Sequence, residues 1–121
     1  MSANKRTVER YIDGFNKSDH QQILACLTED IEWTVFGAFH LVGKEAYDKE
    51  IENPAFTGSP EITIVRMVEE DDVVMAELAL VAKPVNADPI RMVAGEVFVM
   101  RDALIKERRA YLIPLRENDY K

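Results

Sequence analysis

Four long apolar segments with very short spacers in the second half of the chain constrain the fold more than any other feature. Glu61 to Val68, Val73 to Ala82, Ile90 to Met100 and Leu104 to Leu115 are rich in Val, Ile, Met and Leu. Only Glu69-Glu70-Asp71-Asp72, the segment from Lys83 to Pro89, and Arg101-Asp102-Ala103 separate them. A parallel crossover needs roughly a dozen residues or more, so neighbouring segments must pair as hairpins, giving an antiparallel meander.

The first half supplies helices to cover that sheet. Val8, Tyr11, Ile12 and Phe15 recur at i, i+3, i+4, i+7, the apolar face of a helix over about Lys5 to Asn16. Gly14 within it costs about 1 kcal/mol relative to Ala, so close packing or a helix end is expected there. Asp19 reads as the N-cap of a second helix, with Gln22 as its capping-box partner. That helix carries Ile23, Leu24 and Leu27 inward and is expected to stop near Thr28. Ile31 to Val35 alternates as a half-buried strand, and Gly37 and Gly43 bracket a loop holding Phe39, His40 and Leu41. A third helix, about Lys44 to Glu52, turns Ala46, Tyr47 and Ile51 inward and ends at Asn53-Pro54. The expected class is α+β, with three N-terminal helices on one face of a curved antiparallel sheet. At 121 residues, one domain over 1–121 is expected.

The charge balance bears on partners. Fifteen Lys and Arg against 22 Asp and Glu leave a net charge of −7, which argues against a nucleic-acid partner. No apolar run approaches the ~18 residues of a membrane span, so no membrane partner is expected. The start, Met1 to Arg6, lacks the apolar core of a signal peptide, which points to the cytoplasm. One cysteine, Cys26, allows no internal disulfide, and no histidine–carboxylate spacing resembles a metal-ligand set.

Glu96 is the most informative single residue. It shares a strand face with Ile90, Met92, Ala94, Phe98 and Met100, where desolvation favours a neutral carboxylic acid. A neutral acid beside a cavity can donate a hydrogen bond to a developing oxyanion. The alternative is an interior ion pair with Arg91, Arg108 or Arg109. Tyr11 lies on the buried face of the first helix, so its hydroxyl needs an internal partner. His40, between apolar neighbours, is a candidate general base near neutral pH. His20 at a helix start is expected in solvent. Trp33 faces with Ile31 and Val35 as core or pocket wall. Glu77 interrupts the less apolar face of its strand and is expected on the outer side of the sheet, paired with a basic neighbour or at a subunit contact. The run Glu69 to Asp72 reads as a solvated hairpin tip.

The order of these pieces resembles the SnoaL-like branch of the nuclear transport factor 2-like superfamily. The signposts are Tyr11 to Asp19, Leu27 to Trp33, Gly43-Lys44 opening the third helix, Glu96-Val97-Phe98, and Ile105 to Tyr111. The resemblance implies a cystatin-like cone enclosing a small-molecule cavity, and a homodimer through the outer face of the sheet. Within the superfamily the chemistry is similar to ketosteroid isomerase, whose oxyanion tyrosine and protonated acid match Tyr11 and Glu96; that enzyme is one of the worked cases of pKa tuning. Where its aspartate base lies, this chain has Thr34 or Val35, leaving Glu32 or His40 to move the proton. The resemblance further implies that Phe15, Trp33, Phe98, Arg108 and Leu112 contact the substrate. Arg108 would then anchor an anionic substrate or pair with Glu96, and in the second case Glu96 would be ionised. The expected function is cofactor-independent acid–base catalysis on an apolar carbonyl or enol substrate. The alternative is a non-catalytic ligand-binding or dimerisation module.

Overall fold

The computed structural model describes residues 2–52 and 54–115. Asn53, expected at the end of the third helix, and both ends of the span 1–121 lie outside the described residues. Helix α1 spans Ala3–Lys17 and is capped by Ser2, whose hydroxyl accepts from the Lys5 N–H at 3.0 Å. Helix α2, His20–Leu24, is capped as expected, with Asp19 accepting from the Gln22 N–H at 3.1 Å. The Gln22 side chain does not complete a capping box. Its Nε2 donates to the Arg10 carbonyl and to Asp13, tying α2 to α1. A Cβ on Gly14 would lie 3.0 Å from Ile23 Cγ1 and 3.2 Å from the Ile23 backbone nitrogen. The glycine is therefore where the two helices touch.

Two elements differ from the sequence expectation. Helix α2 stops at Leu24, and strand β1 occupies Leu27–Val35, so Leu27 and Thr28 are strand residues. The segment between Gly37 and Gly43 is not a loop: Phe39–Val42 forms β2, antiparallel to β1 with Thr34 opposite His40. Helix α3, Lys44–Ile51, follows β2, so the three helices are not all N-terminal to the sheet and only α1 is long.

Strands β3 (Glu61–Glu70), β4 (Val73–Ala82), β5 (Ile90–Arg101) and β6 (Leu104–Pro114) form the expected meander. The six-stranded order is β2-β1-β6-β5-β4-β3. β1 joins β6 in parallel, so the sheet is mixed rather than purely antiparallel. Most of the chain lies between these two strands, and no hairpin dictates their relative direction.

Alternation along β4 sends Val74, Ala76, Leu78 and Leu80 to the inner face, where they meet Val8, Tyr11 and Ile12 of α1 and Ile51 of α3 in one core. On the outer face Glu77 pairs with Arg66 at 2.8 Å, beside exposed Met75, Tyr111 and Ile113. The acidic hairpin is only partly a solvated tip. Asp71 and Asp72 make the turn at φ 52° and 61°, whereas Glu69 accepts hydrogen bonds from Ser2 Oγ and Asn4 Nδ2. Those two bonds hold the Glu69 carboxyl below its usual range. No described helix is long and apolar enough to cross a membrane.

Candidate functional site

Between the inner face of the sheet, α1, α3 and the segment 54–60 lies a cavity of about 380 Å³. Its walls are mostly apolar, with Phe15, Trp33, Phe39, Phe56 and Met92 among them. Glu96 and Arg108 reach the same cavity at its buried end, and Glu50 and Lys83 also line it. Alternation along β5 directs Glu96 inward beside Ala94 and Phe98. On β6 an irregularity in the pairing with β5 sets the phase: Met100 pairs with Ile105, but Val99 pairs with Glu107. Lys106 is thus the extra residue, and Ile105 and Arg108, three positions apart, both point inward.

The two charged side chains meet as a bidentate pair. Arg108 Nε donates to Glu96 Oε1 at 2.7 Å, and Nη2 donates to Oε2 at 2.9 Å, with side chains 6% and 1% exposed. Both carboxylate oxygens accept, so Glu96 is ionised, and of the three arginines open to it in the sequence Arg108 is the partner. Its role as a neutral hydrogen-bond donor is thereby corrected. Arg108 Nη1 donates to the Tyr11 hydroxyl and, at 3.5 Å, to that of Tyr47, and the two hydroxyls hydrogen-bond each other. The guanidinium carbon lies 4.6 Å from the Trp33 ring centre and 5.3 Å from that of Phe15. Burial is the largest single influence on Arg108 and opposes its charge, but Glu96, Tyr11 and Tyr47 together outweigh it, so its pKa is held well above the ordinary value. Burial likewise pushes the Tyr11 phenol well up, partly offset by Arg108, and raises Tyr47. Both phenols are therefore protonated at neutral pH.

A family description, the SnoaL-like domain, matches residues 8–108. The chain belongs to the SnoaL-like family. No curated protein matches it. Among solved structures, an LEH-like epoxide hydrolase of M. tuberculosis superposes with a TM-score of 0.81 at 18% identity, covering 91% of this chain and 82% of that one. An NTF2-like protein of unknown function from Burkholderia pseudomallei gives 0.82 at 16% identity, covering 92% and 91%. A protein from Kribbella flavida, named as a candidate ketosteroid isomerase, gives 0.77 at 15%, covering 98% and 84%. At these identities the likeness is one of fold.

Within the SnoaL-like fold the sequence-derived site residues separate into three groups. Phe15, Trp33, Glu96, Arg108 and Leu112 all line the cavity. Tyr11 and Phe98 do not: both are fully buried behind the lining, edge to face at 5.8 Å. Tyr11 lies behind two lining residues, hydrogen-bonded to Arg108 and ring to ring with Phe15 at 5.2 Å. His40 is on the other side of the sheet. Alternation along β2 sends Phe39 into the cavity and His40 outward, where Thr34 Oγ1 lies 2.7 Å from its Nδ1 and Glu32 lies 3.8 Å from its Nε2. Neither residue considered for moving the proton, His40 or Glu32, therefore lines the cavity. Sequence reading missed Tyr47. Its place on the buried face of the third helix was legible, and a buried phenol there needs a partner as much as Tyr11 does. Trp33 carries a further signal, since its buried indole N–H has no hydrogen-bond partner among the described residues.

Proposed function

We propose that the chain binds a mostly apolar small molecule in this cavity, with the Arg108–Glu96 pair as the polar end of the site. The observation that carries the reading is a cavity of about 380 Å³ with aromatic and aliphatic walls and one convergent charged pair at its buried end. Ligand sites characteristically combine apolar walls with a few fixed polar groups. Phe15, Trp33 and Leu112 would contact the ligand body. Trp33 is the single tryptophan, so its fluorescence reports occupancy directly. A saturable change with apolar ligands is expected, and it should vanish in Ala110→Phe, which fills the cavity from β6. Identical titrations in the two proteins would refute the reading.

A second reading is cofactor-independent acid–base catalysis of the isomerase, cyclase or dehydratase type. It is favoured by one observation, that the ionised Glu96 carboxylate lies on the cavity wall. In this reading the Arg108 guanidinium, backed by Tyr11, takes the place of the neutral acid as donor to an oxyanion, and Glu96 accepts the proton. Product from a panel of enones, epoxides and hydroxylated aromatics would support it. Turnover within about threefold in both Tyr11→Phe and Glu96→Gln, roughly 0.7 kcal/mol of barrier, would rule it out. We further propose a cytoplasmic homodimer joined through the outer face of the sheet, where Met75, Tyr111 and Ile113 are exposed apolar side chains. A monomeric mass by sedimentation at micromolar concentration would contradict the dimer.

A further inference from the structure

We infer that the polar group of the ligand is a neutral hydroxyl, an alcohol or phenol, rather than a carbonyl or an anion. The inference rests on the small-molecule reading above and adds the chemical class that the buried end of the cavity selects. An ionised carboxylate offers roughly four lone-pair sites, and the two bonds from Arg108 occupy two of them. Arg108 is nearly spent as a donor. Nε and one N–H of Nη2 go to Glu96, and Nη1 goes to Tyr11 and Tyr47. One N–H of Nη2 has no partner among the described residues. The pair therefore presents free acceptor capacity on Glu96 beside a single free donor on Arg108, with no net charge.

Each ligand class meets that arrangement differently. A hydroxyl donates to Glu96 and accepts from Nη2, satisfying both. A ketone can only accept, so the lone pairs of Glu96 lose water without replacement. An anion meets the Glu96 charge, while the compensating charge of Arg108 is already engaged. A cation meets Arg108, whose guanidinium already lies over the Trp33 and Phe15 rings on which a cationic ligand would stack.

Isothermal titration of the full chain with three probes on one skeleton separates these classes: 4-tert-butylcyclohexanol, 4-tert-butylcyclohexanone and 4-tert-butylcyclohexanecarboxylate. The alcohol is expected to bind at least tenfold more tightly than either of the others, a difference of about 1.4 kcal/mol. A ketone or carboxylate that binds as tightly as the alcohol overturns the inference and leaves the small-molecule reading standing. No binding of any probe overturns both. In the double variant Glu96→Leu/Arg108→Met, checked for native circular dichroism, the alcohol preference should fall within about twofold. A tenfold preference that persists there would show that the pair is not the selecting element. Should the variant fail to fold, the ranking on the unaltered protein decides alone.

Discussion

Replacing Arg108 by methionine keeps most of the volume of the side chain and removes its charge, which isolates the role of the buried pair. In the native protein Glu96 accepts two charge-assisted bonds at 2.7 and 2.9 Å with its side chain 1% exposed. After Arg108→Met, that carboxylate is stranded without a counter-charge, and breaking a buried pair from one side costs about 3–5 kcal/mol. The Tyr11 and Tyr47 hydroxyls also lose the Nη1 donor, a smaller effect of about 1 kcal/mol. Glu96→Leu alone should cost a similar amount, because it strands the guanidinium instead. The double variant strands neither charge. Apolar replacement of a whole buried pair is often neutral or stabilising, so it should lie within about 2 kcal/mol of the native protein. The assay is urea unfolding followed by circular dichroism at pH 7, with all four proteins forming one cycle. In thermal scans the single variants should lose roughly 10–20 °C. A loss below about 1 kcal/mol in Arg108→Met, or a double variant as unstable as the sum of the singles, would refute the assignment of a desolvated, mutually dependent pair.

Three further outcomes follow from other parts of the molecule. His20 sits between Asp48 and Glu52, 2.6 Å from each, and the hydrogen bond to Asp48, then that to Glu52, raises its pKa. A raised histidine contributes stability that is fully present below the unfolded value of about 6.5 and is lost as pH rises through the folded value. An NMR titration should therefore place His20 above about 6.5 and return it there in Asp48→Asn/Glu52→Gln; an unchanged value in that variant would dismiss the clamp. Asp30 is held down to about 2 by its hydrogen bonds to Arg101, at 2.6 and 3.2 Å. Its contribution is present above the unfolded value of about 3.9 and is lost as pH falls toward 2, so Asp30→Asn should flatten the acid limb of the stability curve over that range. Acid titrations that overlay for the two proteins would count against it. Gly14→Ala should destabilise by about 1 kcal/mol despite the helix-propensity gain, because its Cβ would press on the Ile23 backbone nitrogen at 3.2 Å. A stabilised variant in urea unfolding would mean that α1 and α2 can separate freely.

Much of the scaffold was legible in local spacing. The short connectors dictated the meander, the helical recurrence of Val8, Tyr11, Ile12 and Phe15 dictated the buried face of α1, and the apolar stripe around Glu96 marked that acid as interior. These are statements about neighbours along the chain, and backbone periodicity settles them. The helix–strand boundary near Leu27 and the β2 segment were harder to read, because short apolar runs suit either conformation and tertiary pairing decides between them.

By itself, then, the sequence determined the fold class, the inward position of Glu96 and the burial of Tyr11, and it left Glu96 as either a neutral donor or the partner of one of three arginines. Only the tertiary structure chose Arg108. Counting by twos from Ile105 turns Arg109 inward, while counting back from Ala110 and Leu112 turns Arg108 inward, and one extra residue at Lys106 reconciles the two phases. The tertiary structure also set His40 on the outer face of β2, paired β1 with β6 in parallel, and brought Tyr47 to Tyr11 and Arg108 from 36 and 61 positions away. The physical reason is common to these cases. Side-chain direction along a strand has a period of two, so a single bulge or a change of register reverses which residues face the cavity. Register is a property of strands that meet in space, and no local spacing specifies it.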